Sequence, residues 1–260
     1  MPDPKKLEID LSETFQHLTH APIVEAVIDI RARAQTAWEE ATITQQLKPR
    51  LGDYPKIHSR THVQQHVTIG QGEPKSFTRD LGWHGLDCQS ADEKHFGRFS
   101  RDGIQFARLQ PYQRWEELSA EALRLWQIYV EVAKPLEIQR LGLRFINRIE
   151  MQPGEVRCED FIKIHHEPPA GMDLPIIGFF HQDTLAVPGH PFAINLIRTI
   201  QPAETPGKAS LAVILDIDAF TTAPFQLHQD ELLQRLRQMR WLKNKVFFGN
   251  ITEKALNRFQ

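Results

Sequence analysis

Little in this sequence offers a ready chemistry. The 260 residues hold two cysteines, Cys88 and Cys158. They form no CxxC pair and no disulfide framework, so a reducing, cytoplasmic setting is expected. No Gly-rich phosphate loop is present, neither GxGxxG nor GxxxxGK[ST], which removes the common nucleotide folds. No GxSxG elbow marks a nucleophile, and no HExxH frame marks a zinc site. No apolar run approaches the ~18 residues of a membrane span, and "MPDPKKLEIDLSETF" has no apolar h-region, so no membrane segment or export signal is expected. An excess of one charge is missing too. Lys and Arg number 31 against 33 Asp and Glu, a net charge of −2. No global basic field would gather nucleic acid, although a local stripe still could.

What the sequence does have is periodicity. In "APIVEAVIDIRARA" the even positions Val24, Ala26, Ile28, Ile30 and Ala32 are apolar, while Glu25, Asp29, Arg31 and Arg33 are charged. Alternation of period two marks a strand with one face in a core. A short helix is expected from about Thr36, then extended segments at 61–70, 81–90, 95–100 and 103–110, the last two joined by the "RDG" turn. Trp115, Leu118, Ala122, Leu125, Tyr129 and Val132 fall at spacings of three and four, predicting an amphipathic helix over 113–134 that Pro135 stops. A long strand over 136–151 follows. A Pro-rich connection at 165–175 leads to three more strands joined by turn-rich loops. The end reads as helix, with Leu232, Leu236, Met239, Leu242 or Lys243, and Val246 as its stripe.

Helices separated by runs of antiparallel strands predict an α+β fold, a curved antiparallel sheet with long amphipathic helices. No composition shift divides the chain. One domain over 1–260 is expected, with 1–135 and 136–260 as two similar halves that no sequence repeat proves. The loop at 165–175 is the best candidate boundary.

"APIVEAVIDIR", "LDIDAF" and "LRQMRWLKNKVFFGNITEKAL" together resemble a sporadically distributed family of uncharacterised bacterial proteins of similar length. The resemblance spans both ends of the chain. It implies a cytoplasmic protein from an accessory or defence-related locus, and it carries over no activity and no catalytic residue.

Three strands carry charge on the face away from the core: Glu25, Asp29 and Arg31; Arg140, Arg144, Arg148 and Glu150; Asp216 and Asp218. If the strands are neighbours, these residues either pair across strands as a solvated lattice or line a polar groove. Glu25, Asp29, Arg31, Arg144, Arg148, Asp216 and Asp218 are the candidate groove. Arginines at this spacing would suit a phosphate, and Asp216, Asp218 and Glu25 could hold Mg²⁺. The parity of the strands places Glu25 within reach of Arg144 or Arg148. His58, His62 and His66, and the group His165, His166, His181, Asp183 and His190, read as surface histidines without a zinc frame. No motif implies a cofactor. The basic run Arg235, Arg237, Arg240, Lys243 and Lys245 does not share one helix side, so nucleic-acid binding there has weak support. Phe247 and Phe248 look like an exposed apolar pair. A regulatory or interaction protein with a protein partner is the leading expectation. A phosphate- or nucleic-acid-directed enzyme working on the charged sheet face is the alternative.

Overall fold

The computed structural model describes residues 5–68, 75–152, 155, 157–164, 171, 172, 174, 178–202 and 211–260, without the side chains of 65–68, 75–80 and 202. These residues form β1 (Ile23–Arg31), α1 (Glu40–Leu47), β2 (Lys56–Thr68), β3 (Lys75–Gln89), β4 (His95–Ser100), β5 (Gly103–Leu109) and α2 (Trp115–Ala133). Then come β6 (Arg140–Met151), β7 (Phe180–Ala186), β8 (Ala193–Pro202), β9 (Leu211–Thr221), α3 (Gln229–Asn250) and α4 (Glu253–Leu256). The strands join in one sheet of order β2-β3-β4-β5-β1-β6-β9-β8-β7. Every neighbouring pair is antiparallel.

β1 and β6 lie side by side at the centre of the sheet. After each, the chain runs to an outer edge and steps back inward, β2 to β5 on one flank and β7 to β9 on the other. Each meander then leads into one helix with a buried stripe, α2 or α3. Outside the β1–β6 seam four strands follow β1 on one flank and three follow β6 on the other. The mixed α+β architecture is the one that the periodicities predict. Curvature and helix length are not: the sheet is not notably curved and the helices are short beside it. An open sheet with edges at β2 and β7 does not close on itself, and α1 and α4 span 8 and 4 residues.

The core lies between one face of this sheet and the helices. Ile28 opposes Phe106 on β5 and Leu143 on β6, and all three are buried. Burying each such side chain contributes about 1.5–3 kcal/mol. Leu118, Ala122, Leu125, Tyr129 and Val132 of α2 are buried, as predicted, and so are Leu232, Leu236, Met239 and Leu242 of α3. α2 ends at Lys134, whose left-handed φ of 47° breaks the helix before Pro135. Thr252 caps α4 by accepting the Ala255 N–H at 3.2 Å.

Some predicted boundaries move for local reasons. The first helix begins at Glu40 and not at Thr36, because the N–H groups of Gln35 and Thr36 donate to the Ala133 carbonyl and the Thr36 hydroxyl donates to Val132. That stretch is tied to the end of α2. β6 begins at Arg140, since Ile138 pairs instead with Phe225 in an isolated bridge. The loop at 165–175 lies mostly outside the described residues. Phe247 and Phe248 are not an exposed pair: Phe247 is buried, and Phe15 from the N-terminal segment stacks on Phe248 at 5.6 Å. Among the described residues no helix is long and apolar enough to cross a membrane.

Candidate functional site

The second face of the sheet carries the charges that the alternation predicts. Its centre is built on β1, β6 and β9, so the three charged strands are indeed neighbours. α2 does not cover this face. It packs on the core side, as its buried stripe against β5 and β1 requires.

Asp29 holds the middle of the face. Its carboxylate accepts the Arg31 Nε–H at 2.8 Å and a short hydrogen bond from Arg140. Arg140 continues to Asp218 at 3.2 Å, so one guanidinium bridges β1 and β9 across β6. Gly142 makes this crossing feasible. A Cβ there would sit 2.5 Å from the Arg140 guanidinium nitrogen, so the planar head lies over bare backbone. The Phe220 ring supports the same head at 5.4 Å. Next to this bridge, Arg144 makes a two-pronged contact with Asp216, Nε to Oδ1 at 2.8 Å and the second nitrogen to Oδ2 at 2.5 Å. Arg148 pairs with Glu150 on its own strand at 2.5 Å.

The lattice continues along the sheet. Gln105 opposes Asp29 and accepts from Arg98, which donates also to Asp87 at 3.0 Å. On the other flank Asn195 opposes Asp218 and accepts the Thr184 hydroxyl. Asp29 and Asp216 are almost wholly covered, at 7% and 5% exposure. The side chains of Arg31 and Arg144 are about half exposed, at 49% and 45%. At Asp29 and Asp216 the carboxylate lies beneath and the guanidinium of Arg31 or Arg144 lies over it, whereas Arg148 with Glu150 is reversed, the arginine covered and the carboxylate half exposed.

Two groups show the field of this layer. Burial pushes the Asp218 carboxyl above its ordinary value, and Arg140 and Arg144 oppose that rise. The hydrogen bond to Asp216 raises the Arg144 guanidinium above its usual value.

The predicted pairing of Glu25 with Arg144 or Arg148 is not made. Among the described residues no arginine lies within ion-pair distance of Glu25, although its charge still reaches Arg144. The competing carboxylate is the reason. Glu25 on β1 and Asp216 on β9 both stand opposite Ile146, so Arg144 is diagonal to each, and its head turns to Asp216.

Of the seven predicted groove residues, six are committed to ion pairs within the face, and Glu25 stands apart. The aspartates proposed for Mg²⁺ hold arginines instead. Among the described residues no group of three or more His, Cys, Asp or Glu is arranged to hold a metal. Sequence reasoning underrated Arg140, Gly142 and Phe220, which form the bridge. A glycine two residues after an arginine on a charged strand face was the available signal.

The other candidates fall elsewhere. His62 stacks on His84 at 3.7 Å, His181 contacts Asp183 at 3.2 Å, and His190 meets the Leu7 carbonyl. The His66 side chain, His165 and His166 lie outside the described residues. The basic run on α3 is largely spent on local contacts: Arg235 with Glu231, Lys245 with Glu13, Arg240 over Trp115. Two hollows, one of about 550 Å³ along α1 and one at the start of α2, are lined by none of the predicted groove residues. No protein-family model matches this chain, and no curated protein matches it.

Proposed function

We propose that the chain is a cytoplasmic interaction or regulatory protein that docks a protein partner on the ion-paired face of its sheet. It acts as one α+β domain made of two similar halves, 1–135 and 136–260. The observation that carries this reading is the layering of charge: half-exposed Arg31 and Arg144 heads over buried Asp29 and Asp216. Such heads are already oriented by their carboxylates, so a partner's carboxylates and carbonyls meet donors with little freedom left to lose. Both signs alternate along the face, which suits a mixed-charge protein surface better than a phosphodiester backbone, whose affinity grows with uncompensated cations. The resemblance to a sporadically distributed family accords with a role in an accessory or defence-related locus.

The test is capture from the native host with tagged wild type, Arg144→Glu and Arg237→Glu. Arg237 is exposed on α3, on the helix side. A stoichiometric protein partner held by wild type and Arg237→Glu and lost by Arg144→Glu supports the reading. Recovery of nucleic acid that depends on Arg144 would replace it with the phosphate-directed alternative.

A further inference from the structure

Away from the charged face, one lysine stands in an unusual place. Lys243 is on the side of α3 that faces the sheet, and its Nζ lies 4.1 Å from the centre of the Phe145 ring. Tyr112 meets the edge of the same ring at 5.5 Å. Arg240, three residues earlier on α3 and so on the same side, lies 5.3 Å from the centre of the Trp115 ring. Three aromatic side chains and two cations therefore meet where the start of α2, β6 and α3 come together.

Among the described residues the Lys243 ammonium has no hydrogen-bond or carboxylate partner, unlike Lys56, Lys245 and Lys254, which are paired. The carboxylates nearest this corner act on its other members: Glu116 contacts Arg240 at 3.7 Å, and Glu116 and Glu117 act on Tyr112. β6 presents Phe145, which carries no charge. The residue as a whole is only partly exposed. A cation over an aromatic ring regains only part of the hydration that burial removes.

We propose that Lys243 is a carbonyl-capture site that forms an imine with a small aldehyde or 2-oxo acid bearing a carboxylate, which Arg240 receives. The neutral Nζ donates its lone pair to the carbonyl carbon while the C=O π pair moves to oxygen. The proton that nitrogen sheds goes to that oxygen, and loss of water leaves the C=N bond. No oxidant or reductant is needed. Phe145, with Tyr112 at its edge, supplies the apolar surface beside the bond that forms. The environment favours the neutral amine at physiological pH, since burial first and Arg240 second push Lys243 down to about 7. An ordinary lysine, titrating near ~10.4, is neutral about one part in a thousand at pH 7. This site is independent of the docking face.

The experiment is reductive trapping of the whole protein with glyoxylate and cyanoborohydride at pH 7, with peptide mapping by mass spectrometry. Lys243 should label roughly tenfold or more faster than exposed Lys5, Lys48 and Lys134, with a midpoint near pH 7. Lys243→Arg should lose that label. Arg240→Gln should slow labelling by glyoxylate more than labelling by neutral propanal, which loses only the share of neutral amine that the Arg240 charge maintains. Label spread evenly over the exposed lysines, or a Lys243 rate that rises only in the range of ordinary lysines, overturns the proposal in the wild-type protein itself, whatever the variants do to folding. Equal slowing of both probes by Arg240→Gln overturns the role given to Arg240.

Discussion

Replacing Arg140 with methionine keeps most of the stem that lies along Gly142 and Phe220 and removes the charge that joins β1 to β9. Two carboxylates are then affected. Asp29 keeps Arg31, but Asp218 loses its only direct guanidinium contact among the described residues and retains the more distant field of Arg144. Removing one partner of a fully buried pair costs about 3–5 kcal/mol, and an exposed pair is worth about 0–1 kcal/mol. The side chains here are 29% exposed for Arg140, 10% for Asp29 and 18% for Asp218, nearer the buried limit. A loss of about 2–3 kcal/mol at pH 7 follows by interpolation between those limits. The pH dependence has a definite sign. Asp218 already titrates above its unfolded value, so its contribution is fully favourable below the unfolded pKa and is lost as pH rises through the folded one. Without Arg140 the folded value rises further, so the variant's deficit should be small near pH 4 and full at pH 7. Urea unfolding at both pH values measures it. Adding Asp218→Asn should recover part of the deficit at pH 7, because the stranded charge is gone. A cost below about 0.5 kcal/mol at pH 7, with no pH dependence, would show that the bridge is an ordinary surface ion pair.

Other outcomes follow from the same structure. Leu236→Ala, at a site 1% exposed, should cost about 2–5 kcal/mol in urea unfolding, and unchanged stability would remove α3 from the core. Glu25→Gln should change stability by less than about 0.5 kcal/mol in urea unfolding, since Glu25 makes no ion pair among the described residues; a larger loss would mean that its charge is paired in solution. Burial pushes the Cys88 and Cys158 thiols up to about 12 and about 11. Native protein at pH 8 should therefore resist iodoacetamide at both and react fully once unfolded; rapid native alkylation of either contradicts the burial. Gly142→Ala should weaken the bridge by pushing the Arg140 head aside, a smaller effect than Arg140→Met in the same unfolding assay.

The faces of the sheet were legible because alternation of period two assigns each residue a side without knowledge of partners. The sequence therefore separated Ile28, Leu143 and Ile217 from Asp29, Arg144 and Asp216. The choice of ion-pair partner was not legible. Parity puts Glu25, Arg144 and Asp216 on one face, and Arg144 is diagonal to both carboxylates, but only the fold shows that it turns to Asp216. The stripes of α2 and α3 were readable from spacing alone. The choice between Leu242 and Lys243 was not, and in the fold both turn inward, one into the core and one over Phe145. Contacts distant in sequence explain the remaining differences. Phe15 covers Phe248, and the end of α2 captures Gln35 and Thr36, neither of which any local propensity encodes.

A protein partner docked on the ion-paired face would cover Arg31 and Arg144. Arginine labelling by phenylglyoxal, in the complex purified from the native host and in the free protein, addresses it at the level of single side chains. Arg31 and Arg144 should be protected in the complex, while Arg237 on the helix side labels at the same rate in both states. Protection of Arg237 with Arg31 and Arg144 unchanged would place the partner on the helices and contradict the account.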